Sequence, residues 1–215
     1  AQACRWKYYI QEEKRPGELY PIVEDDGGTF VMNSKDLCLL PYLDDLTEAG
    51  IDSFKIEGRV KSEFYLSTVV HAYRQALDSL KEGKFDEKLI EQMLGELKKT
   101  SHRAFTEGFL FGKPGAQGQN YQTSSYIQNY DFLGMVKDYR SEDNMALIEE
   151  RNKFSTGDKV ELLRSQGQVL NFEIRNIYDK NWQSQDSANC PMENFWIETP
   201  EPVKPGDILR KKKLD

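Results

Sequence analysis

Apolar positions in the first part of the chain alternate between strand-like and helix-like spacing. A short β-rich run over residues 29–32 precedes a helical pattern over residues 41–49. A second run, over residues 54–59, precedes a longer helical pattern over residues 62–80. The order strand, helix, strand, helix predicts a parallel sheet that is covered by helices.

Small polar residues and glycines mark the predicted ends of these helices. Ser34 is a predicted N-cap with Asp36 in the first turn, and Asp86 is a predicted N-cap of a further helix. Gly50 and Gly83 follow the last periodic residues, where helices commonly end.

The run over residues 54–59 carries charge where a buried strand should carry none. Its two large apolar residues point one way along the pleat, and Lys55 and Glu57 point the other way. A strand between two helices should be buried on both faces, and a buried acid and base must pair or meet a ligand. We therefore predict that Lys55 and Glu57 project into a barrel interior, within reach of Arg59 or Arg5. A surface strand with one solvated face is the alternative.

The predicted fold class is α/β plus β, in three parts. Two parallel strands cannot close a barrel, so residues 1–84 are predicted to be the last two βα units of a TIM-like barrel whose earlier strands precede Ala1. Residues 85–129 are predicted to be a helical segment and a glycine-rich linker. Residues 130–215 are predicted to form a small β-barrel from six short strands, at 132–136, 146–150, 159–163, 169–177, 195–198 and 208–211.

Composition changes this picture little. The 215 residues have a net charge of −7, which does not favour a nucleic-acid binder over the chain as a whole. The dense basic stretch at 210–213 is predicted to be a solvated tail, with a binding arm as the alternative. The sequence has no apolar run of membrane-spanning length, and its three cysteines are widely spaced, so a reducing cytoplasmic location is expected.

Few residues offer familiar catalytic chemistry. The two histidines, His71 and His102, are expected to have structural and helix-capping roles. A Ser-His-Asp hydrolase is hard to build from them, and no nucleotide-binding or zinc-protease motif is present. Cys4 and Cys38 lie in no CxxC pair, and from spacing alone they are more typical of two buried thiols than of metal ligands.

A charged set remains near the predicted C-terminal rim of the barrel. Its cations could hold an anionic ligand by forked hydrogen bonds, whereas a structural salt-bridge network is the alternative. The predicted catalytic residues are Lys55, Glu57 and Arg59. The predicted substrate-binding residues are Arg5, Asn33, Lys35 and Lys61.

Several motifs, found in order along most of the chain, resemble the collagenase-like peptidase family U32. They include Cys4-Arg5-Trp6, Met32-Asn33-Ser34-Lys35-Asp36-Leu37-Cys38, Phe54-Lys55-Ile56-Glu57-Gly58-Arg59 and Arg151-Asn152-Lys153-Phe154. The resemblance is strongest to the bacterial branch that acts in tRNA hydroxylation. It implies that this chain corresponds to the C-terminal half of a longer protein, with tRNA and an upstream half as partners.

The resemblance also implies a reaction and a cofactor. The reaction is addition of a 5-hydroxyl to the wobble uridine of tRNA, with prephenate as the oxygen donor. Some members of the family hold a 4Fe-4S cluster, and by that pattern Cys4 and Cys38 are the last two of four ligands, with the first two before Ala1. A collagenase-like protease and a non-catalytic module that docks RNA or a partner are the alternatives.

Overall fold

The computed structural model describes residues 6–25, 28–30, 34–120, 126–165 and 168–213. The chain divides into two compact units. The first unit comprises Ala1–Tyr42 and Ser101–Ile127, and the second comprises Leu43–Thr100 and Gln128–Asp215. Cys4, Arg5 and Asn33 lie outside the described residues.

The described residues of the first unit form three pairs of short strands. Strands β1 (Tyr9–Ile10) and β2 (Tyr20–Pro21) are antiparallel, as are β3 (Val23–Asp25) and β4 (Gly28–Phe30). Strands β5 (Asp36–Leu37) and β6 (Phe105–Thr106) are parallel. The described part of this unit also contains 3-10 helices at Leu40–Tyr42 and Gly115–Gly118.

The predicted helix start at Ser34 is wrong. Ser34 forms a β-bridge with Gln119, and Asp36 lies in strand β5. The Asp36 carboxylate accepts the backbone N–H of Arg103 at 2.9 Å, so it satisfies a donor 67 positions away rather than a helix terminus. Long-range pairing with β6 has replaced the local capping that these residue types favour.

The second unit begins with three helices, α1 (Leu43–Glu48), α2 (Glu63–Lys81) and α3 (Glu87–Leu97). The predicted cap at Asp86 is confirmed, since its carboxylate accepts the Leu89 N–H at 2.8 Å. Ser62 also caps α2, because its hydroxyl accepts the Tyr65 N–H at 3.3 Å. Helices α2 and α3 pack on each other. The buried face of α2 carries Phe64, Thr68, Val69, Ala72 and Ala76.

The rest of the second unit is the β region, an antiparallel sheet of eight strands. The strands are β7 (Tyr130–Arg140), β8 (Met145–Glu150), β10 (Lys159–Leu163), β11 (Val169–Glu173), β12 (Ile177–Tyr178), β13 (Ser184–Gln185), β15 (Asn194–Glu198) and β16 (Ile208–Lys212). Their order in the sheet is β11, β10, β16, β7, β8, β15, β12, β13. A separate pair, β9 (Phe154–Ser155) and β14 (Ser187–Ala188), adds residues to the same core.

The predicted run of short strands is confirmed. A large apolar cluster within the β region includes Val136, Ile148, Leu162, Ile177 and Ile197, each of which is buried. A smaller one joins Leu163 and Ile208 to Phe64 of helix α2. Strands β11 and β13 stand at the two ends of the sheet order, so hydrogen-bonded closure into a barrel is not seen among the described residues.

The predicted strand at residues 54–59 is absent, and the described part of residues 29–32 pairs elsewhere. Strand β4 instead pairs antiparallel with β3. Residues 51–58 take no regular secondary structure. The TIM-like arrangement is therefore not confirmed within the described part of the chain. None of the described helices is both long and apolar enough to cross a membrane.

Candidate functional site

The segment over residues 54–59 keeps the alternation that its sequence predicts. Phe54 and Ile56 are half-buried, whereas Lys55, Glu57 and Arg59 are exposed. The prediction that Lys55 and Glu57 project into an interior is therefore wrong for this structure. The physical reason is that the apolar side of the segment is covered by other residues, whereas the charged side faces the solvent. Exposed charges avoid the free-energy cost of desolvation that burial would impose.

A tight turn joins this segment to helix α2. The Glu57 carboxylate accepts the backbone N–H of Arg59 at 3.0 Å, and the Lys61 N–H donates to the Gly58 carbonyl at 3.0 Å. The Lys61 ammonium lies 5.0 Å from the centroid of the Tyr65 ring. The turn places one acid and two cations, Glu57, Arg59 and Lys61, just before the helix starts.

A groove adjoins the segment on its apolar side. Its volume is about 720 Å³, and it is formed by α1, residues 51–54 and one face of α2. Phe54, Leu77 and Leu80 provide apolar lining, while Arg74 and Lys81 provide cations. The groove is large enough for a small organic ligand.

The other described candidates lie in the first unit. The backbone N–H of Lys35 donates to the Gly118 carbonyl at 3.1 Å, and its side chain is half-buried. Cys38 is buried, with 7% of its surface exposed, and its N–H donates to the Thr106 carbonyl at 2.9 Å. These contacts fix Cys38 at the end of β5.

The described residues offer few ligands for a metal cluster. No group of three or more histidine, cysteine or acidic side chains suited to a metal occurs in the part of the chain that the structure describes. A 4Fe-4S cluster takes four thiolates. Cys38 suits one of them because it is buried and rigidly held, so the described residues do not hold such a cluster by themselves.

An ionic network in the second unit was missed by the sequence analysis. The Arg210 side chain is fully buried and contacts the carboxylates of Glu96 and Glu161 at 2.7 Å each. Lys99 reaches the same two carboxylates at 2.7 and 2.8 Å, and the Tyr130 hydroxyl donates to Glu161 at 3.0 Å. The prediction that residues 210–213 form a solvated tail is therefore wrong, because they belong to strand β16 and continue past its end.

Protonation in this network follows from burial and charge. Burial would raise the pKa of Glu161, but the hydrogen bond from Lys99 and the charge of Arg210 outweigh it and lower that pKa. Burial and the neighbouring Glu161 carboxylate raise the pKa of Tyr130 to about 12. These contacts favour the ionised form of Glu161, and they connect helix α3 to strands β10 and β16. One sequence signal could have revealed the burial of Arg210. Residues two positions apart on a strand share a face, so Arg210 lies on the same face as the apolar Ile208.

Comparison with known families assigns both parts of the chain. The sequence profile "Peptidase family U32" matches residues 1–120, and the profile "Peptidase family U32 C-terminal domain" matches residues 128–210. The chain belongs to peptidase family U32. The predicted resemblance is confirmed.

Relatives within this family carry two kinds of name. The chain is 35% identical to "tRNA hydroxylation protein P" of Escherichia coli over 92% of its own length and 43% of that protein. It is 25% identical to a "Collagenase" of Porphyromonas gingivalis over 97% of its own length and 49% of that protein. The chain thus spans about half the length of the curated relatives it matches.

A solved structure of a related domain also matches. It is the C-terminal domain of a U32 peptidase from Geobacillus thermoleovorans, which is 26% identical to this chain. The match covers 39% of this chain and 93% of that domain, with a TM-score of 0.37.

Proposed function

We propose that the protein to which this chain belongs hydroxylates tRNA. The observation that carries the proposal is the 35% identity to a tRNA hydroxylation protein over 92% of this chain. The proposed reaction replaces the hydrogen at C5 of the wobble uridine with a hydroxyl group, and prephenate is the proposed oxygen donor. Its site of action would be the cytoplasm, where tRNA is found.

The charged turn before α2 is the proposed reaction site. Glu57 is the acid of the set, and its exposed carboxylate is available to take a proton from the substrate. Lys55, Arg59 and Lys61 are cations that suit a dicarboxylate donor, because charge-assisted hydrogen bonds to carboxylates are strong. Lys35 in the first unit stays a predicted substrate-binding residue, as do Arg5 and Asn33 outside the described residues.

The TIM-like barrel remains a proposal for the longer protein. Its support is the alternating exposure of residues 54–59, in which the apolar side is covered and the charged side is not. Such a segment suits a strand at the C-terminal rim of a barrel, where charged side chains surround a substrate. Strands from outside the described residues would pair with it.

An iron–sulfur cluster is likewise proposed, with some of its ligands in this chain and the others outside it. Cys38 would supply one thiolate and Cys4 a second, and two further cysteines would come from outside this chain. When bound, the cluster would supply electron transfer. The buried position of Cys38 supports the assignment, because a cluster ligand must be shielded from solvent oxidants.

Crosslinking in living cells tests the proposed substrate. After ultraviolet crosslinking, the purified protein should carry tRNAs with uridine at the wobble position. These tRNAs should exceed other tRNAs of equal cellular abundance. Recovery of all tRNAs in proportion to abundance, or of no RNA, would contradict the proposal.

A collagenase-like protease is the second candidate function. It is favoured by the 25% identity to a collagenase over 97% of this chain. Cleavage of gelatin by the purified protein, lost in Glu57→Gln, would support it. A docking module without activity would show RNA crosslinking with neither hydroxylation nor cleavage.

A further inference from the structure

Four side chains form a stack on the outer face of the β region, here called the aromatic platform: Arg140, Tyr178, Trp182 and Trp196. Trp196 lies between the buried residues Phe195 and Ile197 on β15, so it points away from the core. Its ring stacks on that of Trp182, with centroids 5.5 Å apart and planes 17° from parallel.

The remaining members extend this stack. The Arg140 guanidinium carbon lies 4.1 Å from the centroid of Trp182 and 5.5 Å from that of Trp196. The Tyr178 ring is tilted by 43° against Trp182, at 5.9 Å. Arg140 also pairs with Asp143, which fixes its plane against the rings.

Trp182 is held in a backbone conformation that bulky residues avoid. Its φ is +60°, in the left-handed region that favours glycine. The Asp179 carboxylate accepts the N–H groups of Asn181 at 2.8 Å and Gln183 at 3.0 Å, and Trp182 N–H donates to the Asp179 carbonyl at 3.0 Å. These three hydrogen bonds hold the turn around Trp182 in its left-handed conformation. Residues kept in such conformations cluster at binding sites.

The indole of Trp182 nevertheless stays open to solvent. It is 43% exposed although it contacts three of its neighbours. An exposed indole can stack on a second flat group. Lys180, two positions earlier in the chain, is exposed as well.

We propose that the aromatic platform binds an unpaired nucleotide of RNA by stacking its base on Trp182. Nucleobases stack on tryptophan rings and guanidinium planes, and single-stranded segments are recognised in this way. A base-paired nucleotide has no free face, so the ligand is a loop or an end rather than a duplex. Lys180, exposed and two positions before Trp182, is the cation proposed to contact an adjoining phosphate. The inference rests on the proposed function, whose tRNA substrate contains unpaired loops.

A binding measurement on the 215-residue chain tests the proposal, with a fluorescently labelled oligouridylate as the probe. Trp182→Gly removes the ring and suits the left-handed backbone, so it keeps the turn. It should weaken binding by about 5- to 100-fold, the range that stacking of one base supports. Trp182→Phe should retain most of the affinity. Lys180→Gln should lower the slope of log affinity against log salt by about one, whereas Trp182→Gly should leave that slope unchanged.

Met192→Gly is the matched control. Met192 is also exposed and also has a positive φ, of +71°, but it is not part of the platform. It should leave oligouridylate binding unchanged. Unfolding temperatures of the three tryptophan and methionine variants verify that each is folded.

Three results would overturn the proposal. One is equal affinity of the wild-type chain and a folded Trp182→Gly variant, or no binding by either. Another is equal competition by duplex RNA. The third is quenching of Trp182 fluorescence by a proline-rich peptide but not by oligouridylate, because that result would identify a protein partner. If crosslinking recovers no tRNA but Trp182→Gly abolishes oligouridylate binding, the platform stands and the tRNA hydroxylation proposal fails.

Discussion

Arg210 in strand β16 and Glu96 in helix α3, which are 114 positions apart in the sequence, form an ion pair of 2.7 Å. Glu161 on β10 accepts the same guanidinium, also at 2.7 Å. Because Arg210 has no exposed surface, the pairs are shielded from water. The contact attaches the α2–α3 helix pair to the β region inside the second unit.

Replacing Arg210 with methionine should destabilise the chain. The change leaves two carboxylates with Lys99 as their remaining cation, and breaking a buried ion pair costs about 3–5 kcal/mol. The partial exposure of Glu96 and Glu161 places the expected loss near the lower end of that range. Urea denaturation measures the free energy of unfolding.

Lys212→Met is the control on the same strand. Lys212 is exposed, so its replacement should change the unfolding free energy by less than about 0.5 kcal/mol. Equal effects of the two substitutions would show that the buried network adds nothing to stability.

Acid should weaken the fold through His71. Burial lowers the pKa of His71 from its ordinary value of 6.5, and the charge of Glu96 opposes this shift while that of Arg210 adds to it. Below pH 6.5 the unfolded chain therefore binds a proton that the folded chain does not, and stability falls until the pH passes the folded pKa. His71→Gln should flatten the unfolding free energy over this window. Unchanged pH dependence in the variant would assign the acid sensitivity to other groups.

Glycine at position 134 should be required by close packing of β7 against β8. A Cβ atom there would lie 2.5 Å from the Glu149 carbonyl oxygen and 2.6 Å from Cγ2 of Ile148. Gly134→Ala should therefore cost about 1–3 kcal/mol, as overpacking does. Gly95→Ala, in helix α3 with no atom within 4 Å of the added methyl group, should instead stabilise by about 0.5–1 kcal/mol. Urea denaturation of both variants checks the opposite signs, and a stable Gly134→Ala variant would contradict the packing argument.

Local patterns predicted the fold well where local interactions decide the structure. The Asp86 cap depends on a residue three positions away, and it is confirmed. Ser34 failed because its backbone pairs with Gln119. Periodicity on a single chain segment carries no information about such a distant partner.

The candidate site shows the same limit. The alternation of apolar and charged side chains along residues 54–59 was predicted correctly. The prediction that the charged side chains are buried was wrong, because the residues that bury one side of the segment come from elsewhere in the fold. The burial of Arg210 depends on helix α3 and was missed for the same reason. Whether Cys4 lies near Cys38 stays a prediction, because Cys4 is outside the described residues.

Neutralising Lys211, Lys212 and Lys213 together should weaken tRNA association and reduce its dependence on salt, since fewer phosphate counterions are released. The same three substitutions should also lower the unfolding temperature. Lys211 pairs with Asp158 at 2.8 Å and Lys213 with Asp131 at 3.4 Å, and each partly exposed pair contributes up to about 1 kcal/mol. Filter binding at low salt measures the association. Unaltered tRNA affinity would leave strand β16 with a structural role alone.

The mass of the wobble nucleoside tests the proposed function most directly. Cells that lack the gene should contain tRNA whose wobble uridine is lighter by one oxygen atom, and the wild-type gene should restore that atom while Glu57→Gln should not. Lys84→Gln, an exposed change in the turn after α2, should restore it fully. Hydroxylated wobble uridine at undiminished levels in the deleted cells would contradict the assignment of this protein to tRNA hydroxylation.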